Sequence, residues 1–168
     1  MEVIFNRRSI RRYKKQAVES EKIEKLLRAA MQAPSAANQQ PWEFIVVQEK
    51  ETLEKLSKIS AYSKMTAEAP LAIVLLGNED RMTLQLHWEQ DLAAATQNIL
   101  LEAAHLGLGG VWLGVAPMEE RMEIISEIFN LKDKIKPFCV IPIGYPEENQ
   151  NNKFIDRFDP DKVHYEKY

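Results

Sequence analysis

An α+β fold is expected from three observations. Strand-like and helix-like stretches are interspersed, few of them could serve as right-handed crossovers, and one long Ala-rich helix dominates the middle of the chain. Residues 20 to 33 place Ile23, Leu26, Leu27, Ala30 and Met31 on one helical face, with Ser20 as a candidate cap. Pro34 ends that helix, because a proline ring disfavours helical geometry in the residue before it. Glu43 to Val47 reads as a strand and Glu51 to Ile59 as a short amphipathic helix. Leu71 to Leu76 is a second strand, apolar throughout and so expected to be buried on both faces.

Residues 82 to 106 form the dominant helix. Leu92, Ala95, Ile99, Ala103 and Leu106 make one stripe, and Ala93, Leu100, Leu101 and Ala104 cover much of the remaining surface. A helix apolar nearly all round is buried, so one side is expected on the sheet and the other on a second subunit. Gly107 is its left-handed cap. Val111 to Val115 is extended, and Met118 to Phe129 is a helix turning Met122, Ile125 and Phe129 inward. Phe138 to Ile143 is a third strand, in which Pro142 lacks a ladder donor and predicts an edge or a bulge. From residue 146 to 168 Phe154, Ile155, Phe158, Val163 and Tyr165 are scattered among charges. This tail has no core of its own and is expected to lie along something else, such as a partner subunit.

The 168 residues suit one domain, 45% of them are hydrophobic, and the net charge is −3. That balance argues against a polyanion binder. No signal peptide or membrane-length apolar run is visible, so a cytoplasmic protein without membrane contact is expected. A single cysteine, Cys139, excludes an intrachain disulfide and a Cys-based metal cluster. His87, His105 and His164 lack metal-ligand spacing, and Cys139 lies in an apolar run, as a core residue would. Most Asp and Glu residues are expected at exposed helix positions, with Asp91 as the exception on the buried long helix. No acid–base team emerges, so any redox chemistry is expected to reside in a cofactor.

Three stretches remain. "RRSIRRYKK" (7–15) gathers six cations around Ser9, a grouping suited to a phosphate, with Arg12 and Lys15 facing solvent; a solvated basic arm or a nucleic-acid contact are the other readings. "APSAANQQP" (33–41) is bare, letting a ligand approach its backbone, with Asn38 as donor and acceptor; a plain connection is its alternative. "GLGGVWLG" (107–114) is not a dinucleotide fingerprint, since its glycines follow a helix and Trp112 stands where that pattern needs glycine.

Taken together, "RRSIRRY", "APSAANQQPWEFIVV", "GLGGVWLG" and "VIPIGYPEE" resemble, collinearly over nearly the whole chain, the FMN-dependent nitroreductase family. The resemblance implies an α+β sandwich with a mostly antiparallel central sheet between helices, and a homodimer with FMN at the interface beside the long central helix. It assigns Arg7, Arg8, Ser9 and Arg11 to the phosphate and ribityl chain. Pro34, Ser35, Ala36 and Asn38 match the loop that the partner lays over the flavin. Trp112, Leu113 and Gly114 match the segment facing the isoalloxazine, with a backbone N–H near Gly114 aimed at N5, and Arg157 matches a late phosphate ligand. NADH or NADPH would donate hydride, and a small organic acceptor such as a nitroaromatic or quinone would take it in ping-pong fashion. A flavin-binding redox sensor and a related chemistry such as reductive dehalogenation share this scaffold. The chain departs from longer members at 78–83, too short for a helical roof, at Gly114, acidic in some, and at Ile155, basic in some.

Overall fold

The computed structural model describes residues 2–150 and 153–168. Five strands form one antiparallel sheet: β1 (Trp42–Val47), β2 (Leu71–Asn78), β3 (Gly109–Gly110), β4 (Leu113–Gly114) and β5 (Ile135–Gly144). Their order is β1-β2-β5-β3, with β4 also beside β5. The helices are α1 (Glu2–Asn6), α2 (Ser20–Met31), α3 (Lys50–Leu56), α4 (Trp88–His105) and α5 (Glu119–Phe129).

Alternation along β2 splits the interior into two cores. Leu71, Ile73 and Leu75 join Cys139, Ile141 and Ile143 of β5 beneath α2 and α4, where Leu26, Leu92, Ile99 and Ala103 are buried. Ala72, Val74 and Leu76 face the other way with Val140, against Leu53 and Leu56 of α3 and Ile125 of α5. An α-layer therefore covers each face of the sheet, and the expected burial of β2 on both sides is observed.

Four details correct the sequence reading. Ser20 is the first helical residue of α2 and not its cap; Glu19 precedes it in an extended conformation and sends its carboxylate to the Tyr145 hydroxyl. The long helix begins at Trp88 and not at residue 82, so the connection runs from Glu79 to His87 and is longer than the 78–83 predicted. Here the chain folds back on the sheet: a Cβ at Gly77 would lie 2.7 Å from Met82 and 2.8 Å from Trp88. α3 stops at Leu56, where the Ser63 hydroxyl closes a turn by accepting from Ser60 N–H.

Pro142 sits on neither an edge strand nor a bulge. Gly110 pairs with Ile143 and Leu113 with Val140, a register that carries Val111 past Pro142. The Val111 N–H reaches the Pro142 carbonyl at 3.4 Å, but proline has no N–H to return the bond. That loss coincides with the break between β3 and β4. The register slip against β2 falls nearby, at Phe138, skipped between Cys139 and Pro137.

α4 ends as expected. Gly107 has φ +73° and donates to Ala104, while Leu108 donates to Ala103, the paired bonds of a Schellman motif. Only one side of α4 is fully buried; Ala93, Ala94, Leu101 and Ala104 are half-buried and Gln97 is exposed. Within α4, Thr96 Oγ1 lies 3.3 Å from the Cys139 thiol, whose burial pushes it up to about 12, the protonated state of a core residue.

Candidate functional site

The basic segment is held by its apolar members. Ile10 is buried against β3, where a Cβ on Gly109 would come within 2.4 Å of it, and its N–H donates to Gly110 at 3.0 Å. Tyr13 is buried and donates its hydroxyl to the Ile10 and Pro142 carbonyls. Around these anchors, Arg7 and Arg8 are half-buried, whereas Ser9, Arg11, Arg12, Lys14 and Lys15 are exposed.

Arg157 arrives from the far end of the chain to join Arg7 and Arg8. The three line one cleft of about 380 Å³ with Ile4, Phe5 and residues 154–158. Burial lowers the Arg7 pKa, and the charges of Arg8 and then Arg157 lower it further. Arg8 is steadied by donating to the Phe5 and Arg7 carbonyls at 3.0 and 2.6 Å. Neither Arg7 nor Arg157 has an ion-pair partner among the described residues. Arg7 and Arg8 are half-buried, Arg157 is exposed and Asp156 also lines the cleft; three cations against one acid favour an anion, and guanidinium forks suit phosphate oxygens. Arg11 stands apart from this group, and its charge is felt at Tyr13.

The segment Trp112–Gly114 lies along the sheet's outer edge. Val111 and Val115 donate toward β5, to Pro142 and Phe138, so strand alternation turns the N–H groups of Trp112 and Gly114 away from the sheet. Leu113 turns its side chain into the core and positions its neighbours. Trp112 is exposed and rests edge-on against Phe138, with 5.7 Å between centroids; Trp88 meets the same ring at 5.8 Å. The skipped register at Phe138 falls where that ring supports Trp112. Space beside Gly114 is open, since a Cβ there would meet nothing within 4 Å. Its carbonyl accepts from Arg121 at 2.9 Å.

The bare loop sits at the start of α4. Ala36 N–H and the Gln39 amide both donate to the buried Asp91 carboxylate, at 2.8 and 2.5 Å. Ser35 and Ala36 are half-buried, and Pro34 and Asn38 are exposed. Among the described residues no hydrogen bond or ion pair links this loop to the arginine cleft. Trp88 and Asp91, one turn apart on α4, put the loop and the Trp112 platform at the same end of the molecule. The sequence reading singled out Asp91 without a role and passed over Gln39; a buried acid opposite a glutamine-containing loop was the available signal. A cavity of about 600 Å³ beside β1, lined by residues 43–45 and 130–135 among others, includes none of the predicted site residues.

Three findings from known proteins accompany this geometry. The sequence profile of the nitroreductase family matches residues 4–76 and 60–145. A Methanothermobacter thermautotrophicus protein, provisionally named an NADH dehydrogenase/NAD(P)H nitroreductase, is 46% identical over 168 residues, spanning 100% of this chain and 87% of its own. Among crystal structures, a Clostridium acetobutylicum protein provisionally named an NADH oxidase is 64% identical with a TM-score of 0.97, covering 99% of both chains. A Desulfovibrio desulfuricans protein, provisionally a nitroreductase and crystallised in complex with FMN, is 29% identical with a TM-score of 0.84, covering 99% of this chain and 96% of its own.

Proposed function

This chain belongs to the nitroreductase family, and from that premise we propose an FMN-dependent NAD(P)H oxidoreductase that works as a homodimer, with FMN at the interface. The observation that carries the cofactor assignment is the convergence of Arg7, Arg8 and Arg157 on one cleft. These residues fit a phosphate monoester and would hold it, with Ser9 and Arg11 on the more exposed rim toward the ribityl chain. When bound, FMN would supply hydride-transfer chemistry between NADH or NADPH and an organic acceptor such as a nitroaromatic or quinone. The Gly114 N–H, turned off the sheet edge, would be a donor available to the flavin N5, and Trp112 with its Phe138 support would wall the adjoining face. Pro34, Ser35, Ala36 and Asn38 of the opposite protomer would close over the ring. No side-chain base is required of the protein; its work is orientation and fixed donors.

The single-domain chain would use residues 146–168 to grip its partner. Phe158 and Tyr165 are 77% and 84% exposed in the isolated protomer, consistent with a face that another surface covers. No helix among the described residues is long and apolar enough to cross a membrane.

The purified protein should show a flavin absorbance spectrum, or acquire one with added FMN, and should bleach anaerobically with NADH or NADPH. A colourless protein that takes up no added FMN overturns the assignment. A bound flavin that neither nicotinamide reduces would leave binding without the enzyme.

A further inference from the structure

Asp91 and Gln39 share a network that the residues assigned above do not explain. Asp91 is 4% exposed and accepts from Ala36 N–H and from Gln39 Nε2. The same Gln39 nitrogen reaches the Leu84 carbonyl at 3.3 Å. Its Oε1 accepts from Leu84 N–H at 2.9 Å and Thr83 Oγ1 at 3.5 Å. Both amide hydrogens and both lone pairs are therefore used. The amide's orientation follows from chemistry, since an ionised carboxylate only accepts and a backbone N–H only donates.

The loop needs such a fixture. Ala37, Asn38 and Gln40 have φ of 49°, 55° and 46°, three left-handed residues, none of them glycine, interrupted by right-handed Gln39. Residues in that region persist only where their surroundings over-determine them. Ser35 Oγ accepts from Gln40 N–H at 3.1 Å and Asn38 Oδ1 from the Gln40 amide at 2.9 Å, but these bonds lie inside the loop. Among the described residues, the hydrogen bonds of Asp91 and Gln39 are the ones that connect it to α4 and to residues 83–84. We propose that Asp91 and Gln39 form a latch that positions Pro34–Asn38 for the flavin and ties this loop to the chain preceding α4. Both are assigned as positioning residues that act through Pro34–Asn38, and the proposal rests on the flavin-covering role given to the loop.

The test exchanges donor and acceptor across the pair in the full-length protein. Asp91→Asn sets an amide N–H against either Ala36 N–H or the Gln39 amide. Gln39→Glu sets a carboxylate against Asp91. Combining them restores a complementary pair: the new amide at position 91 donates to the new carboxylate at position 39, which still accepts from Leu84 N–H. FMN affinity by fluorescence titration and the visible circular dichroism of bound FMN are read beside apo-protein melting. Each single variant should weaken FMN by about 10-fold or more, the effect of losing one buried charge-assisted bond, and should alter the flavin dichroism. The double variant should bind FMN several-fold better than either single without fully reaching the parent, since its pair is complementary while the carboxylate at position 39 faces the Leu84 carbonyl and cannot bond it.

Single variants with lower melting but unchanged FMN affinity and dichroism overturn the positioning role, as does a double variant no better than either single. Should Asp91→Asn fail to fold, Gln39→Ala leaves the Asp91–Ala36 bond in place and must still weaken FMN several-fold. Parent protein that takes up no FMN overturns the functional assignment itself, and this inference with it.

Discussion

The loop from Pro34 to Pro41 and the corner of Arg7, Arg8 and Arg157 are both polar and both assigned to the same cofactor, yet they are built in opposite ways. The loop is internally satisfied: a buried carboxylate, one glutamine and short local bonds hold a strained backbone in place. The corner gathers cations by chain folding, with the Arg7 pKa lowered by burial and by Arg8 and Arg157. Rigidity is made in advance in one, whereas in the other Arg7 and Arg157 have no ion-pair partner among the described residues. A site can thus carry its shape in one region and its affinity in another.

Arg7→Glu should break the contrast most sharply. It replaces a charge-assisted phosphate ligand with an anion, so FMN affinity should fall on the order of 100-fold or more by fluorescence titration. Because it also relieves crowding with Arg8 and Arg157, apo-protein melting should hold or rise; a drop in melting would mean the corner is satisfied without a ligand. Arg11→Glu, at an exposed position apart from the cluster, should cost about 10-fold at low salt and much less at high salt, as screening of a surface charge requires. Equal losses for the two variants would erase the distinction drawn between cleft and rim.

Two smaller changes probe what is already satisfied. Cys139→Ala should cost about 1–2 kcal/mol in denaturant unfolding, the scale of a slightly emptied core, while leaving turnover of folded, flavin-loaded protein intact. Loss of turnover there would place chemistry at a thiol that burial keeps protonated. Ala37→Gly should stabilise by up to about 1 kcal/mol, since glycine adopts φ of 49° without steric cost while loosening the unfolded chain. A loss of stability would show that Ala37 is not strained.

The α+β class, the doubly buried β2, the Gly107 cap and the inward face of α5 were all legible, because each is written in spacing over a few residues. Legibility failed wherever a distant partner decided the outcome. Helical periodicity ran back to residue 82, but packing of Met82 and Trp88 on Gly77 delays α4 until Trp88. Proline at 142 was rightly read as a lost donor. Its consequence was misplaced, because only strand order reveals that β5 is central and that the gap falls between β3 and β4.

The same division holds for the site. The sequence alone determined the segments to which the proposal assigns the site: a basic arm around Ser9, a small-residue loop, a Gly-Gly-Val-Trp-Leu-Gly run, and an arginine in the tail, all local in composition and order. Tertiary structure decided which of them lie together. It brings Arg157 beside Arg7, separates Arg11 from both, turns the Gly114 N–H off the sheet edge and joins Gln39 to Asp91. Those pairings depend on how the chain closes in space, and no short-range periodicity encodes a contact between residues so far apart.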